Sequence, residues 1–116
     1  MNKIIVAGSR GFSDYDTLKD KLDYYLSNLT DIEIVSGGAK GADRLGEQYA
    51  ELSGYPVKVF KADWDNLGKR AGMVRNKEMS SYADYLVAFW DGKSVGTKAM
   101  IDMAKKDGLK VRVVRY

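Results

Sequence analysis

The chain has 116 residues, of which 45% are hydrophobic and 30% charged, the size and composition of one soluble globular domain. Its net charge of +3 is small and its acidic and basic residues are interleaved, which argues against binding to duplex DNA. The absence of cysteine and histidine excludes disulfides, a thiolate nucleophile, cysteine-based metal sites and the usual general base near pH 7. No apolar run is long enough to span a membrane or to form a secretory signal, so we expect a cytoplasmic protein without a metal or cofactor.

The first strand and helix are predicted from their apolar patterns. Residues 3–8 (KIIVAG) are apolar and β-branched without alternation, which indicates a strand covered on both faces in a parallel sheet. A glycine-rich turn follows at residues 8–12 (GSRGF), and Ser13, Asp14 or Asp16 can cap the helix after it. Leucines at spacings of four, four and three give that helix one apolar face. They are Leu18, Leu22, Leu26 and Leu29.

A second strand, at residues 32–35, runs into the turn SGGAKGAD at residues 36–43. Its three glycines allow the backbone to approach a ligand closely, and it opens a helix predicted at residues 44–52. The first amides of a helix have no partner and its dipole is positive there, so the turn favours phosphate or another anion. The alternative is a purely structural connection between strand and helix. Gly46 indicates close packing of this helix on the sheet, and Leu52 is expected to be buried.

The remaining predicted elements are a strand at 57–60, a helix at 69–82, a strand at 84–90, a helix at 98–106 and a strand at 109–114. The first of these strands alternates and is expected at an edge, whereas the 84–90 strand is the most apolar and is expected to be central. Residues 63–68 read as a loop, and Val74 and Met79 as inward-facing. Five strands alternating with four helices predict a Rossmann-like α/β fold, a doubly wound, mainly parallel five-stranded sheet with helices on both faces.

The turns after the first, second and fourth strands are predicted to form one ligand site. In a doubly wound sheet ligands bind outside the carboxyl ends of the strands, and all three turns leave that edge and carry small residues. Neither the P-loop GxxxxGK(S/T) nor the dinucleotide fingerprint GxGxxG is present. The candidate ligand-binding residues are Gly8, Ser9, Arg10, Phe12, Ser36, Gly37, Gly38, Ala39, Lys40, Gly41, Asp43, Arg75, Asn76, Trp90, Asp91, Ser94, Gly96 and Thr97.

Polar side chains within this set suggest separate roles. Arg10 can form paired hydrogen bonds to phosphate or carboxylate, or be a solvated loop residue. Asn76 offers both donor and acceptor to a base or ribose, and Arg75 beside it is a counter-charge or part of a surface ion pair. Asp43 can accept from ribose hydroxyls or complement the helix dipole, and Thr97 can bind phosphate or cap its helix.

Three aromatic residues are candidates for stacking on a base. Trp90, at the carboxyl end of a strand, is the best placed, and Phe12 lies in the first turn. Trp64 is expected to be a packing residue of a loop instead.

Four segments together resemble one known family: GSR at residues 8–10, the turn at 36–43, RNKEM at 75–79 and WDGKSVGT at 90–97. The chain resembles the SLOG superfamily, named from the DNA-processing protein Smf and the Lonely Guy enzymes, and within it the small stand-alone YpsA/YspA-related branch. The resemblance implies a single nucleotide-binding domain over residues 1–116. Some members sense signalling nucleotides made during antiviral defence, and members often pair through helices, so the resemblance also implies a homodimer.

Lonely Guy members remove the base from a nucleoside monophosphate with a catalytic glutamate in the motif PGGxGTxxE. Gly96 and Thr97 match its GT, but Met100 takes the glutamate position and no proline opens the turn. We therefore predict binding without catalysis: a sensor or sequestering module for a nucleotide-derived ligand, of the ADP-ribose type or a cyclic signalling nucleotide. One alternative is an N-glycoside hydrolase that uses a displaced carboxylate, Asp43, Asp91 or Glu78. Single-stranded nucleic-acid binding is the least favoured.

Overall fold

A computed structural model describes residues 1–116 and contains one sheet with helices around it. The elements are β1 (Asn2–Gly8), α1 (Tyr15–Tyr25), β2 (Ile32–Ser36), α2 (Ala42–Ser53), β3 (Val57–Val59), α3 (Trp64–Leu67), a 3-10 turn (Gly68–Arg70), α4 (Ala71–Tyr82), β4 (Tyr85–Trp90), α5 (Val95–Lys106) and β5 (Lys110–Arg115). The strand order is β3-β2-β1-β4-β5, and every neighbouring pair is parallel. This confirms the predicted doubly wound, five-stranded α/β fold.

Successive residues of β1 enter two different cores, which explains its unbroken apolar sequence. Ile4 and Val6 pack in the core that contains α1 and α2, whereas Ile5 and Ala7 pack in the core that contains α4 and α5. All four side chains are buried. A strand covered on both faces has no solvent side and so needs no alternation. None of the helices combines the length and hydrophobicity needed to cross a bilayer.

The leucine face of α1 forms as predicted. Leu18 and Leu22 are fully buried, and each such side chain contributes about 1.5–3 kcal/mol relative to exposure. Asp14 is the N-cap, because its carboxylate accepts from the backbone N–H and the hydroxyl of Thr17. The helix therefore begins at Tyr15 and directs its leucines against the sheet.

Three local predictions are wrong. Residues 63–68 are not a loop, since Asp63 accepts from the Asn66 amide and caps the short helix α3. Leu52 is exposed because it lies in the last turn of α2, beyond Tyr49 and Ala50, which reach the core. Val74 is also exposed, since the face of α4 that packs on the sheet is the one carrying Met79.

The strand positions are mostly as predicted. β3 is an edge strand with all three residues exposed. β4 is interior but not central, because β1 occupies the middle of the sheet and β4 lies between β1 and β5. The strand order therefore reverses at β1, which fixes the place of the site described below.

Gly46 is expected to resist substitution, although glycine inside a helix usually lowers stability. A β-carbon at Gly46 would lie 2.7 Å from two carbons of the buried Val6 side chain, so α2 lies directly on β1. We predict that Gly46→Ala lowers the free energy of unfolding by about 1–2 kcal/mol, despite a helix-propensity gain of roughly 1 kcal/mol. Urea unfolding measures this change. Gly96→Ala in α5, where the β-carbon meets nothing within 4 Å, is the control and should not destabilise.

Candidate functional site

A cleft opens at the point where the strand order reverses, between the carboxyl ends of β1 and β4. It has a volume of about 540 Å³, which is within the range of small-molecule sites. Its walls come from the turn after β1, the start of α5, the β2–α2 turn and the α3–α4 region. The chains leaving β1 and β4 diverge to opposite faces of the sheet, and this divergence creates the crevice.

Unpaired hydrogen-bond donors meet across this cleft. In the first turn the Ser9 amide donates to Phe89 and the Phe12 amide to Ser9, but the amides of Arg10 and Gly11 have no partner. The Ser9 hydroxyl is buried without a hydrogen bond of ordinary geometry. On the opposite wall, the amides of Val95 and Gly96 are also unpaired, as the first N–H groups of a helix are. These donors, together with the positive end of the α5 dipole, favour an anion. The unpaired donors of the cleft are the amides of Arg10, Gly11, Val95 and Gly96 and the hydroxyl of Ser9.

The β2–α2 turn differs from the phosphate cradle expected from its sequence. The Gly38 amide donates to the Ser36 hydroxyl at 3.0 Å, and the Ala39 amide donates to the Asp43 carboxylate at 3.2 Å. The Ser36 hydroxyl in turn donates to Glu47 at 2.6 Å. Two amides of the turn are therefore occupied by the chain's own side chains, and a carboxylate already fills the position expected for an anion.

Asp43 lies in the wall of the cleft as a buried acid. Burial raises its pKa from 3.8 to about 6, against the opposing effects of the Ala39 amide and the Arg75 charge. Arg75 is held in place, since it donates to the Gly37 carbonyl at 2.6 Å and to the Asn76 side chain at 3.0 Å. The cleft therefore contains one fixed cation and one proton-exchanging carboxyl close together.

The β4–α5 turn is shaped by its own side chains. The Asp91 carboxylate accepts from the amides of Lys93 and Ser94, each at 2.8 Å, and these bonds lower the pKa of Asp91. Ser94 is the N-cap of α5, accepts from the Thr97 amide and lies 3.1 Å from the Thr97 hydroxyl. Asp91, Ser94 and Thr97 thus hold the start of α5 open to the cleft. The molecule has no group of three or more carboxylates that could hold a metal ion.

Most of the predicted site residues line this cleft. They are Gly8, Ser9, Arg10, Ala39, Asp43, Arg75, Asn76, Asp91, Ser94, Gly96 and Thr97. Gly37, Gly38 and Lys40 line an adjacent depression instead. Ser36 is fully buried, and Gly41 packs against the first turn.

The structure corrects the assignment of two aromatic residues to the site. Phe12 is buried in the core, stacked on Phe89 at 5.0 Å and edge-on to Tyr116 at 4.8 Å. Trp90 does not line the cleft, because its indole N–H donates to the Ser94 carbonyl and the Arg115 guanidinium covers its ring at 5.0 Å. Both rings stabilise the fold around the turns.

Apolar side chains that the sequence reading did not assign to the site complete the cleft. Trp64 is 52% exposed at its mouth, and Met73 and Val95 are exposed beside it, while Met79 and Met100 form a buried floor. The one signal for Trp64 was the pair Asp63 and Asn66, whose spacing is that of a helix cap and first turn.

Comparisons with known proteins give one family match and one similar protein sequence. A model described as "YspA, cpYpsA-related SLOG family" matches residues 2–66. The "Gene 61 protein" of Mycobacterium phage D29 is 36% identical over 118 residues, covering 96% of this chain and 94% of that protein.

Two solved structures share the fold. DNA processing protein A (DprA) from Streptococcus pneumoniae superposes with a TM-score of 0.77 and 20% identity over 97% of this chain. The present chain spans 50% of that chain's length. TM1055 superposes with a TM-score of 0.72 and 23% identity, over 96% of this chain and 72% of the other.

Proposed function

The chain belongs to the YspA, cpYpsA-related SLOG family, and we propose that its cleft binds a nucleotide or nucleotide-derived ligand. The family resemblance expected from the glycine-rich turns is thereby confirmed. The observation that carries the proposal is the set of unpaired donors across the cleft. Four backbone amides and a buried hydroxyl without partners, at the positive end of a helix, are what a phosphate group requires.

The rest of the cleft suits the nucleoside part of such a ligand. Phosphate would lie between the turn after β1 and the start of α5, rather than on the occupied amides of the β2–α2 turn. Asn76 and the carboxyl of Asp43 would accept from ribose or base. The exposed ring of Trp64 lies against Gly72, where a β-carbon would come within 3.4 Å of the indole, and presents a surface for stacking.

Binding and not turnover is the function best supported by the floor of the cleft. Met100 is buried there, and a thioether cannot act as a base or stabilise a positive reaction centre. We propose a sensor or sequestering role for a signalling nucleotide of the ADP-ribose or cyclic type, in the cytoplasm and as a homodimer. The family resemblance supports these finer points.

Calorimetry with AMP, ADP-ribose and cyclic di-AMP tests the proposed function. At least one probe should bind with a dissociation constant below about 1 mM, equivalent to roughly −4 kcal/mol. A location test uses Trp90→Phe, which leaves Trp64 as the only tryptophan. Its fluorescence should change on addition of a bound probe, whereas the remaining tryptophan of Trp64→Phe should not respond. The absence of binding by all three probes would refute the proposal.

A second candidate function is N-glycoside hydrolysis, and the observation that favours it is the Asp43 carboxyl. An acid with a pKa of about 6 in a cleft wall can hold and release a proton near neutral pH. Incubation with AMP, followed by chromatography for free adenine, decides between the two functions. Adenine release that is lost in Asp43→Asn would favour hydrolysis, and its absence would leave binding alone.

A further inference from the structure

A second depression adjoins the cleft and is lined with positive charge. We call it the basic groove and define it by Arg10, Lys40, Arg44, Lys61 and Arg75 together with the single carboxylate of Glu47. Its volume is about 650 Å³. It lies at the same edge of the sheet, beside the β2–α2 turn.

The five cations of the basic groove are not neutralised within the chain. The four ion pairs of the molecule all lie elsewhere. Glu47 accepts a hydrogen bond from the Ser36 hydroxyl and forms no ion pair within 4 Å. Cations gathered in a concave surface without counter-charges concentrate anions there.

Two of these cations are fixed before any ligand binds. The Nε of Arg44 donates to the Gly38 carbonyl at 3.1 Å, and Nη1 of Arg75 donates to the Gly37 carbonyl at 2.6 Å. The remaining guanidinium donors of both side chains are left for a ligand. Since their orientation is already fixed, binding costs little side-chain entropy.

The cleft and the basic groove share part of their walls. Arg10, Ala39, Trp64 and Arg75 line both. A ligand held by the unpaired donors of the cleft can therefore extend past these residues into the groove without leaving the surface. The two sites offer two separate places for an anionic group.

We propose that the ligand carries two phosphate groups, one at the unpaired donors of the cleft and one in the basic groove. The ligand class is thus a dinucleotide or a pyrophosphate-linked nucleotide rather than a nucleoside monophosphate. This inference rests on the proposed function and adds to it the second anion site. The side chains that select the ligand class are Lys40, Lys61 and Arg44.

The experiment compares one-phosphate and two-phosphate probes on the same variants. The double variant Lys40→Ala/Lys61→Ala removes two exposed cations that make no hydrogen bond or ion pair and line the groove only. We expect it to weaken ADP-ribose or cyclic di-AMP by about tenfold and AMP by less than about twofold, since only the former reach the groove. Lys105→Ala, an exposed lysine of α5 outside both depressions, is the matched control. Circular dichroism verifies that each variant is folded.

The outcomes separate this inference from the proposed function. If AMP and the two-phosphate probes bind the native protein equally, or the double variant weakens both equally, the second anion site is refuted while nucleotide binding stands. If the double variant changes neither, the second site is refuted as well. If no probe binds the native protein, the proposed function fails and the inference fails with it.

Discussion

Gly41→Ala is expected to lower the free energy of unfolding by about 3–4 kcal/mol, a large share of a typical total of about 5–15 kcal/mol. Gly41 caps α2 with a φ of 81° and a ψ of −130°, a conformation that side chains disfavour strongly. A β-carbon there would lie 2.5 Å from the Arg10 carbonyl oxygen and closer still to that of Ser9. Both obstacles are backbone atoms, so the clash cannot be relieved by a change of rotamer.

The same substitution should reduce nucleotide binding even where the variant is folded. The Ala42 amide donates to the Ser9 carbonyl at 3.4 Å, so the β2–α2 turn rests directly on the turn after β1. Separating the two turns would displace the unpaired amides of Arg10 and Gly11. We expect at least about tenfold weaker binding of any probe that binds the native protein.

Urea unfolding and calorimetry at 10 °C measure these two effects of Gly41→Ala. The midpoint should fall with an unchanged dependence on urea, since the same surface is exposed on unfolding. Gly11→Ala is the control for stability, because a β-carbon at Gly11 meets nothing within 4 Å and the change should stay within about 0.5 kcal/mol. If Gly41→Ala proved as stable as the native protein, the two turns would not be in the fixed contact described here.

The edge of the sheet that carries the site could be predicted from the sequence. Alternating strands and helices predict a parallel sheet, and all carboxyl ends of its strands then lie together. Small residues follow β1, β2 and β4, so three turns were placed at one edge before any coordinates were known. The periods of apolar residues in β1 and α1 carry this information, because they are repeated over several residues and do not depend on any single contact.

The state of each backbone amide could not be predicted in the same way. Ser36 and Asp43 have side chains that fold back onto the amides of Gly38 and Ala39, and only coordinates reveal such local bonds. A glycine-rich turn has the same sequence whether its amides are free or occupied. The β2–α2 turn therefore looked like the best anion site, although the unpaired amides lie in the turn after β1 and at the start of α5.

Aromatic residues in turns posed a similar difficulty. Phe12 follows two glycines and a serine, a position compatible with a ligand or with the core. The deciding factor is the space over Phe89, which Phe12 and the distant Tyr116 fill together. Long-range packing of this kind has no signature in the local sequence.

Asp43→Asn is expected to stabilise the protein near neutral pH. Burial raises the pKa of Asp43 from 3.8 to about 6 in the folded protein, with Arg75 opposing and Glu47 reinforcing the shift. Between these two values the unfolded chain binds fewer protons than the folded protein, so stability falls as the pH rises. A difference of about two pKa units corresponds to about 3 kcal/mol lost between roughly pH 4 and pH 7. Asparagine has no proton to release, so the variant avoids this loss.

The measurement is the difference in unfolding free energy between Asp43→Asn and the native protein, taken by urea unfolding from pH 4 to pH 7.5. This difference should increase by about 2–3 kcal/mol in favour of the variant as the pH rises, whatever its starting value. Asp20→Asn, the same exchange at an exposed position of α1, is the control for the substitution itself. A difference that stays constant with pH would contradict the buried, proton-exchanging carboxyl. If Asp43 accepts from a ribose hydroxyl, the more stable variant should also bind AMP about tenfold more weakly at pH 7.5. Gain of stability with loss of affinity would explain why an unfavourable buried carboxylate lies in the wall of the cleft.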